Sequence, residues 1–365
     1  MDFTFTPEQD EAAALAAHIF GDLTTVEHQR AAEAGGDRFD ESLWSALAAA
    51  GLLSLPIPEE YGGAGLGLIE ASRVLVEAGR TVAPAPLPSV VAAAVLVASE
   101  GSAPQREQWL PGIASGSLLV LPALAEELEA LPTVPQTAAA ANGEAWTVTG
   151  TKVAVRAGTR ADVLLVTAST PDGARVFAVD VTAPGVTMEV QRTTDGDLAG
   201  LLHLAATPAD LVGGPGAARL LAELVTVTAC AKMVGIAEGS LALTTAYAKE
   251  REQFGRPIAS FQSVAHRLAD GHIDILFGSL TLWQAVWRLS EGLEAALEVA
   301  EAALWAADMS HRIAHSTVHI HGGNGIDLDG VAHRYYTAAK RFEFIAGGTT
   351  VSALAVGRLL ATEPA

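Results

Sequence analysis

Apolar positions recur at helical spacing through the first third of the chain, alternate in its middle, and return to helical spacing from about residue 216 onward. Thr6-Pro7-Glu8-Gln9 supplies an N-cap, a proline at the first helical position and an acid in the first turn, and predicts a helix reaching about residue 25. Further amphipathic runs predict helices over 40–50, stopped at Gly51, and over 66–79, 90–100 and 105–115, with a loop at Pro56-Ile57-Pro58-Glu59-Glu60-Tyr61-Gly62-Gly63. Short β-branched runs at 146–152, 162–167 and 175–181, separated by turn residues, predict antiparallel strands. Long helices follow over 217–249, 262–289, 292–318 and 331–341. Gly235 and Gly239 inside the first of these imply a helix packed on several sides.

The order is helical, then β, then helical, with no strand–helix alternation, no internal repeat and no low-complexity linker. It predicts three units: a helical domain over 1–117, a small β-domain over 118–210 and a helical bundle over 211–365.

Composition narrows the partners. The 365 residues hold 22 Lys+Arg against 42 Asp+Glu, a net charge of −20, which argues against nucleic acid and anionic membrane surfaces. Half of the residues are hydrophobic and 18% are charged, so the acidity is not that of a disordered tail. Cys230 is the one cysteine, which excludes an intrachain disulfide framework and a cysteine-based zinc site; it reads as a small core residue. The N-terminal segment lacks a basic region ahead of its apolar residues, and the apolar run 90–98 is too short to span a bilayer, so a cytoplasmic protein is expected. His311, His315 and His319 stand four apart with His321 close by, but no acid or cysteine completes a metal shell at matching spacing, and no metal site is expected.

Two segments carry candidate chemistry. Tyr247-Ala248-Lys249-Glu250-Arg251-Glu252-Gln253-Phe254-Gly255-Arg256-Pro257-Ile258 is followed by Phe261-Gln262 and Leu268-Ala269-Asp270, and His319-Ile320-His321-Gly322-Gly323-Asn324-Gly325 follows a long helix. An arginine at a helix end beside an aromatic and a glycine can fork onto a phosphate, and a glycine pair lets backbone amides approach an anion. In this order, on this background, the segments resemble the two flavin-binding signatures of the acyl-CoA dehydrogenase family. Pro58-Glu59-Glu60-Tyr61-Gly62-Gly63 is similar to the family's loop after its early helices, and 146–152 to the start of its middle β-domain. The resemblance spans nearly the whole chain. It implies an α+β fold: an N-terminal helical domain, a middle β-barrel or sandwich, and a C-terminal four-helix-type bundle.

The resemblance also implies an activity. In the family a carboxylate removes the α-proton of an acyl-CoA, the β-hydrogen leaves as hydride to FAD, and electrons pass to an electron-transfer flavoprotein. Each FAD lies between two subunits, one holding the ring and substrate, its neighbour the ADP half. The ADP-side matches here are Arg251, Gln253, Phe254, Phe261, Gln262, Gly322 and Gly323, with His319 where the family has Gln. The ring side departs. After Gly150-Thr151-Lys152 the family has a tryptophan and a hydroxyl residue; here stand Ala154 and Arg156. The family's Thr-Glu-Pro-x-x-Gly-Ser-Asp segment is reduced to Leu124-Ala125-Glu126-Glu127. The two positions where the family carries its catalytic Glu are Ala346 and Val225, with Thr226 where an Arg often accompanies the second. Glu343 and Glu223 are substitute acids; Glu223, about 200° around the helix from Val225, is expected to point away as a solvated residue, and Glu238 to pair with a basic side chain.

Losses on one side of a shared site and retention on the other resemble the non-catalytic subunits of heteromeric acyl-CoA dehydrogenases of bacterial steroid side-chain catabolism, as does the ending from Asp327 through Gly347-Gly348. Such a chain would pair with a second acyl-CoA dehydrogenase-like subunit. Two alternatives stand beside it: a homo-oligomeric dehydrogenase with a relocated acid, and a flavin-free scaffold.

Overall fold

The computed structural model describes residues 4–362 except 144; the first three residues of the acidic N-terminal segment lie outside it. Six helices come first: α1 (Pro7–Leu23), α2 (Val26–Ala34), α3 (Glu41–Ala49), α4 (Leu68–Arg80), α5 (Leu87–Glu100) and α6 (Ala103–Ala114). Thr6 caps α1 as expected: its hydroxyl accepts from Gln9 N while the Gln9 side chain accepts from Thr6 N. α2 was not predicted. Only Gln29 and Ala32 of its nine residues are buried, so its apolar stripe is too thin to register.

Seven strands then occupy 120–212: β1 (Val120–Ala123), β2 (Ala138–Asn142), β3 (Ala145–Arg156), β4 (Val163–Thr170), β5 (Gly173–Asp180), β6 (Val186–Arg192) and β7 (Leu198–Val212). Pairings run β4–β5–β7–β3–β2 and return to β4 through one pair, Ala138 with Ser169, so the sheet closes on itself as a barrel, with β6 added along β7. The predicted runs that form β4 and β5 pair antiparallel, as expected; the parallel pairs, both on β4, come from strands outside those runs, β2 at Ala138 with Ser169 and β1. β1 lies parallel to β4, from Val120 against Val163 to Ala123 against Val166, and the long connection through β2 and β3 makes that direction possible.

Buried chemistry holds this barrel to the loop beside it. Lys152 on β3 is fully buried; its Nζ donates to Glu126 Oε1 at 2.8 Å, to Leu124 O at 3.0 Å and to Thr167 Oγ1 at 3.2 Å. Glu126 in turn accepts from the backbone amides of Gln136 and Thr137. A Cβ on Gly150 would stand 2.6 Å from Thr137 Cα, which is why glycine occurs there. Gly150-Thr151-Lys152 is therefore a structural clamp on the 124–137 loop.

The last unit contains α7 (Ala217–Glu250), a two-residue hairpin β8–β9 (Glu252–Gln253, Arg256–Pro257), α8 (Gln262–Ser290), α9 (Ala296–His321), α10 (Ala332–Glu343) and α11 (Gly348–Thr362). α7 is the central helix, packed by α4, α5, α8, α9 and α10. The predicted packing on several sides is seen at Gly235, where a Cβ would lie 1.9 Å from Val76 O of α4. Among the described residues, two stretches are long and apolar enough to cross a bilayer. In α7, 78% of the apolar window is inside the protein; across Ala332–Ala361 only 11% is. Ile273, Leu276, Phe277, Leu280 and Trp287 of α8 and Val351, Leu354 and Leu360 of α11 are exposed, so both helices present apolar faces.

Candidate functional site

A cavity of about 500 Å³ lies where β3, the 124–131 loop, α7 and the end of α10 converge. Ala154, Arg156, Val225, Leu124, Ala125, Glu126 and Glu127, all assigned to the ring side from sequence, line it. Phe344 and Ile345 also line it, immediately before Ala346.

Arg156 does not hang into open space. Its Nη2 stands 2.5 Å from Asp197 Oδ2, and its guanidinium lies 4.4 Å from the centre of the Phe342 ring. Arg341 also lines the cavity, and Lys232 Nζ is 5.5 Å from the same Phe342 ring. Lys232 is buried, donating to Ala83 O at 2.9 Å; burial, then the Arg156 charge, pull its ammonium down to about 7. Burial works to raise the Asp195 carboxyl, but the charges of Arg156, Arg341 and Arg38 with the Thr193 hydroxyl outweigh it and leave it below its ordinary value. This cluster was not foreseen. Its members come from residues 38, 156, 195, 197, 232 and 341; of these Arg156 is singled out from sequence, as a ring-side departure, and Lys232 is passed over, although a lysine inside an apolar helix is itself a signal.

The two substitute acids are elsewhere. Glu343 does not line the cavity; its carboxylate takes Lys340 Nζ at 2.6 Å and His311 Nδ1 at 3.2 Å. Glu223 also stays off the cavity, bonded to Arg219 Nη1 at 3.2 Å. It is not the solvated residue expected: it is buried, and burial raises its carboxyl. Glu238 pairs with Arg80 at 2.7 Å, as expected. Glu127 and Glu129 are exposed at the cavity's rim. Cys230 is buried, its thiol pushed up to about 12.

The other predicted residues form a separate, exposed surface. Arg251 ends α7, and its carbonyl accepts from Ile258 N, closing the β8–β9 hairpin. The hairpin turns through Phe254 and Gly255 with φ of 55° and 74°, the pair of positive values a two-residue turn needs. A phenylalanine is a costly choice there, and Phe254 is 92% exposed, touching Phe261 edge-on at 6.0 Å. Arg256 covers Phe261 at 4.2 Å. Tyr247 joins the two signatures: it stacks on His321 at 4.3 Å, and its hydroxyl accepts from Asn324 Nδ2 at 3.4 Å. Gly322, at φ +60°, ends α9; a Cβ on Gly322 or Gly323 would meet nothing within 4 Å, so both face open space. Gln253, Gln262 and His319 are exposed as well. His311 and His315 touch ring to ring at 4.5 Å, but among the described residues no three His, Cys, Asp or Glu side chains come together to hold a metal.

Comparison with known proteins decides the family. Residues 6–117 match the acyl-CoA dehydrogenase N-terminal domain and residues 224–361 the C-terminal domain. The chain is 41% identical to the acyl-CoA dehydrogenase FadE27 of Mycobacterium tuberculosis, with all of both chains covered. This chain belongs to the acyl-CoA dehydrogenase family. A chain of the ChsE4-ChsE5 complex from Mycobacterium tuberculosis is 41% identical, covers 100% of both chains and superposes with a TM-score of 0.96. A variant of the Tcur3481-Tcur3483 steroid ACAD gives 41% and 0.94, covering 97% of this chain and 98% of its own. The family's three-part fold is the one seen here, and its members are FAD-dependent oxidoreductases.

The two regions fit FAD unequally. The hairpin surface has what a dinucleotide's ADP half needs: an exposed guanidinium, aromatic faces, and glycines with room for close backbone approach. The cavity does not fit an isoalloxazine ring as the family holds one. Ala154 offers no aromatic wall, and Arg156 brings a charge already engaged by Asp197.

Proposed function

We propose that this acyl-CoA dehydrogenase-family chain is the partner-dependent, non-catalytic subunit of a heteromeric enzyme. It clamps the ADP half of an FAD whose ring, with the base, belongs to the other subunit. The observation that carries the reading is the ring-side cavity: Arg156 is tied to Asp197 against Phe342, Val225 and Ala346 offer no carboxylate, and Glu343 and Glu223 are spent on ion pairs outside it. The alternative of a relocated acid thus loses both acids that suggested it.

Arg251, Gln253, Phe254, Phe261, Gln262, His319, Gly322 and Gly323 would receive the ADP portion. The guanidinium of Arg251 would fork onto a phosphate oxygen pair. The strained, exposed Phe254 would stack or pack only once a second subunit or the adenine arrives. His319, with one donor in its neutral form, would replace part of what an amide offers. Bound in this way, FAD supplies the hydride acceptor for α,β-dehydrogenation of an acyl-CoA in the other subunit. The apolar faces of α8 and α11 would be covered by that subunit.

The two structural relatives, a complex and a steroid ACAD, support a second dehydrogenase-like subunit and a bulky, steroid-derived acyl group. An electron-transfer flavoprotein as the oxidant and a cytoplasmic location complete the proposal. The test is Arg251→Ala in the assembled complex. Loss of a charge-assisted phosphate contact, about 1.5–3 kcal/mol, should weaken FAD retention roughly tenfold to a hundredfold. Unchanged flavin occupancy on dilution would remove the clamp role.

A further inference from the structure

The two signature segments are tied together from inside the bundle. Ser240, Thr244 and Tyr247 stand four and three apart and share one face of α7. Thr317, His321 and Asn324 repeat that spacing along α9 and the turn that follows it. Ser240 Oγ lies 2.7 Å from Thr317 Oγ1, and Thr244 Oγ1 lies 3.0 Å from the same atom. None of these three residues is more than 2% exposed. Buried hydroxyls between apolar helices are costly unless each has a partner. Here they have partners in one register only. A shift of α9 by one residue, about 1.5 Å along and about 100° around its axis, would part Thr317 from both.

The ladder continues to the surface. His321 Nδ1 donates to Thr317 O at 2.9 Å, which fixes the tautomer and the orientation of the ring. Tyr247 stacks on that ring at 4.3 Å with 20° between the planes, and its hydroxyl accepts from Asn324 Nδ2 at 3.4 Å. Tyr247 O accepts from Arg251 N at 2.8 Å, one helical turn on, while His321 directly precedes Gly322. Among the described residues no other hydrogen bond, ion pair or ring contact joins 247–262 to 319–325. Arg251, Gly322 and Gly323 are exposed and hold nothing across the gap themselves.

We infer that Tyr247 is a positioning residue for FAD binding: through its stack on His321 and its bond to Asn324 it sets Arg251 at a fixed span from Gly322-Gly323. The inference rests on the reading that these two segments receive the ADP half of FAD. A guanidinium that forks onto a phosphate beside the amides of a glycine pair loses contacts when it is displaced by an ångström. Tyr247 acts on the cofactor through Arg251, and the buried hydroxyls set the register from which the stack is built.

The test is flavin release on dilution of the assembled two-subunit complex, followed by flavin fluorescence, with acyl-CoA turnover per bound flavin measured on the same samples. Tyr247→Leu, which deletes the stack, should weaken FAD by about tenfold. Turnover per bound flavin should stay at the parent value, because ring and base lie in the other subunit. Tyr247→Phe keeps the stack, loses one long hydrogen bond and should hold FAD within about twofold of the parent. In an Arg251→Ala background, Tyr247→Leu should cost about twofold or less, since no arginine is left to place. His321→Leu removes the same stack from α9 and should match Tyr247→Leu, which keeps the inference falsifiable where one of the two fails to assemble. Parent-like FAD retention in Tyr247→Leu or His321→Leu, a fully additive loss beside Arg251→Ala, a Tyr247→Phe loss as large as that of Tyr247→Leu, or a fall in turnover per bound flavin would each overturn the inference. Parent-like FAD retention in Arg251→Ala alone would instead overturn the clamp reading on which it rests.

Discussion

Replacing Glu126 by glutamine should cost this fold several kcal/mol, although the residue was first noticed only as the remnant of a substrate-side motif. The Glu126 carboxylate is 7% exposed and carries the Lys152 ammonium at 2.8 Å together with the amides of Gln136 and Thr137. Glutamine keeps one acceptor oxygen but leaves a fully buried ammonium without its counter-charge. Breaking one partner of such a pair costs about 3–5 kcal/mol. The titration argument gives a similar size. Burial works to raise the Glu126 carboxyl, but Lys152 and the two amides outweigh it and bring it to about 2 from 4.5, which at about 1.4 kcal/mol per unit is about 3 kcal/mol. Because the folded value is depressed, this stability is present above pH 4.5 and is lost as pH falls toward 2. Urea unfolding of parent, Glu126→Gln, Lys152→Met and the double variant, at pH 7 and down an acid series, measures it. Glu126→Gln should lose about 3 kcal/mol at pH 7 and flatten the acid limb, and adding Lys152→Met should recover much of the loss. A loss below about 1 kcal/mol, or an acid limb identical to the parent's, would refute the reasoning.

Lys232→Met should stabilise the chain below pH 7. The folded ammonium titrates near 7 against 10.5 when exposed, so the folded state binds fewer protons between those values, and stability rises with pH across that window at about 1.4 kcal/mol per unit. Methionine removes that slope; the lost bond to Ala83 O offsets it by about 1–3 kcal/mol, and a lower melting temperature at pH 6 would contradict the assignment. Gly235→Ala should prevent normal packing of α4 on α7, because the new Cβ would meet Val76 O at 1.9 Å and backbone cannot give way as a side chain can. A parent-like melting curve would show that the helices can separate at no cost.

Much of the architecture could be read before any coordinates. The helices carry their apolar stripes and caps openly, so α1, α3 to α10 and the central strands β3 to β5 were legible, as were the two signatures that Tyr247 brings side by side. Four strands of the β-domain escaped, β1, β2, β6 and β7, and two of them did so because their residues favour something else. β2 is Ala138–Asn142, four alanines and an asparagine, and β7 is rich in leucine and alanine; both are strands because their neighbours pair with them. α11 went unread; Val351, Leu354 and Leu360 of its apolar residues face outward, so it shows no clean buried stripe. The missing tryptophan, hydroxyl and base could be seen as substitutions at Ala154, Arg156, Val225 and Ala346. What replaced them could not, since Arg38, Asp195, Asp197, Lys232 and Arg341 meet only in the folded chain.

The most direct test of the subunit reading is the visible absorption spectrum of this chain purified alone and then purified with the product of a neighbouring acyl-CoA dehydrogenase-like gene. The account predicts a colourless chain that turns yellow in the complex, at about one flavin per pair of chains. A yellow chain on its own, with one flavin per chain and acyl-CoA turnover, would contradict it.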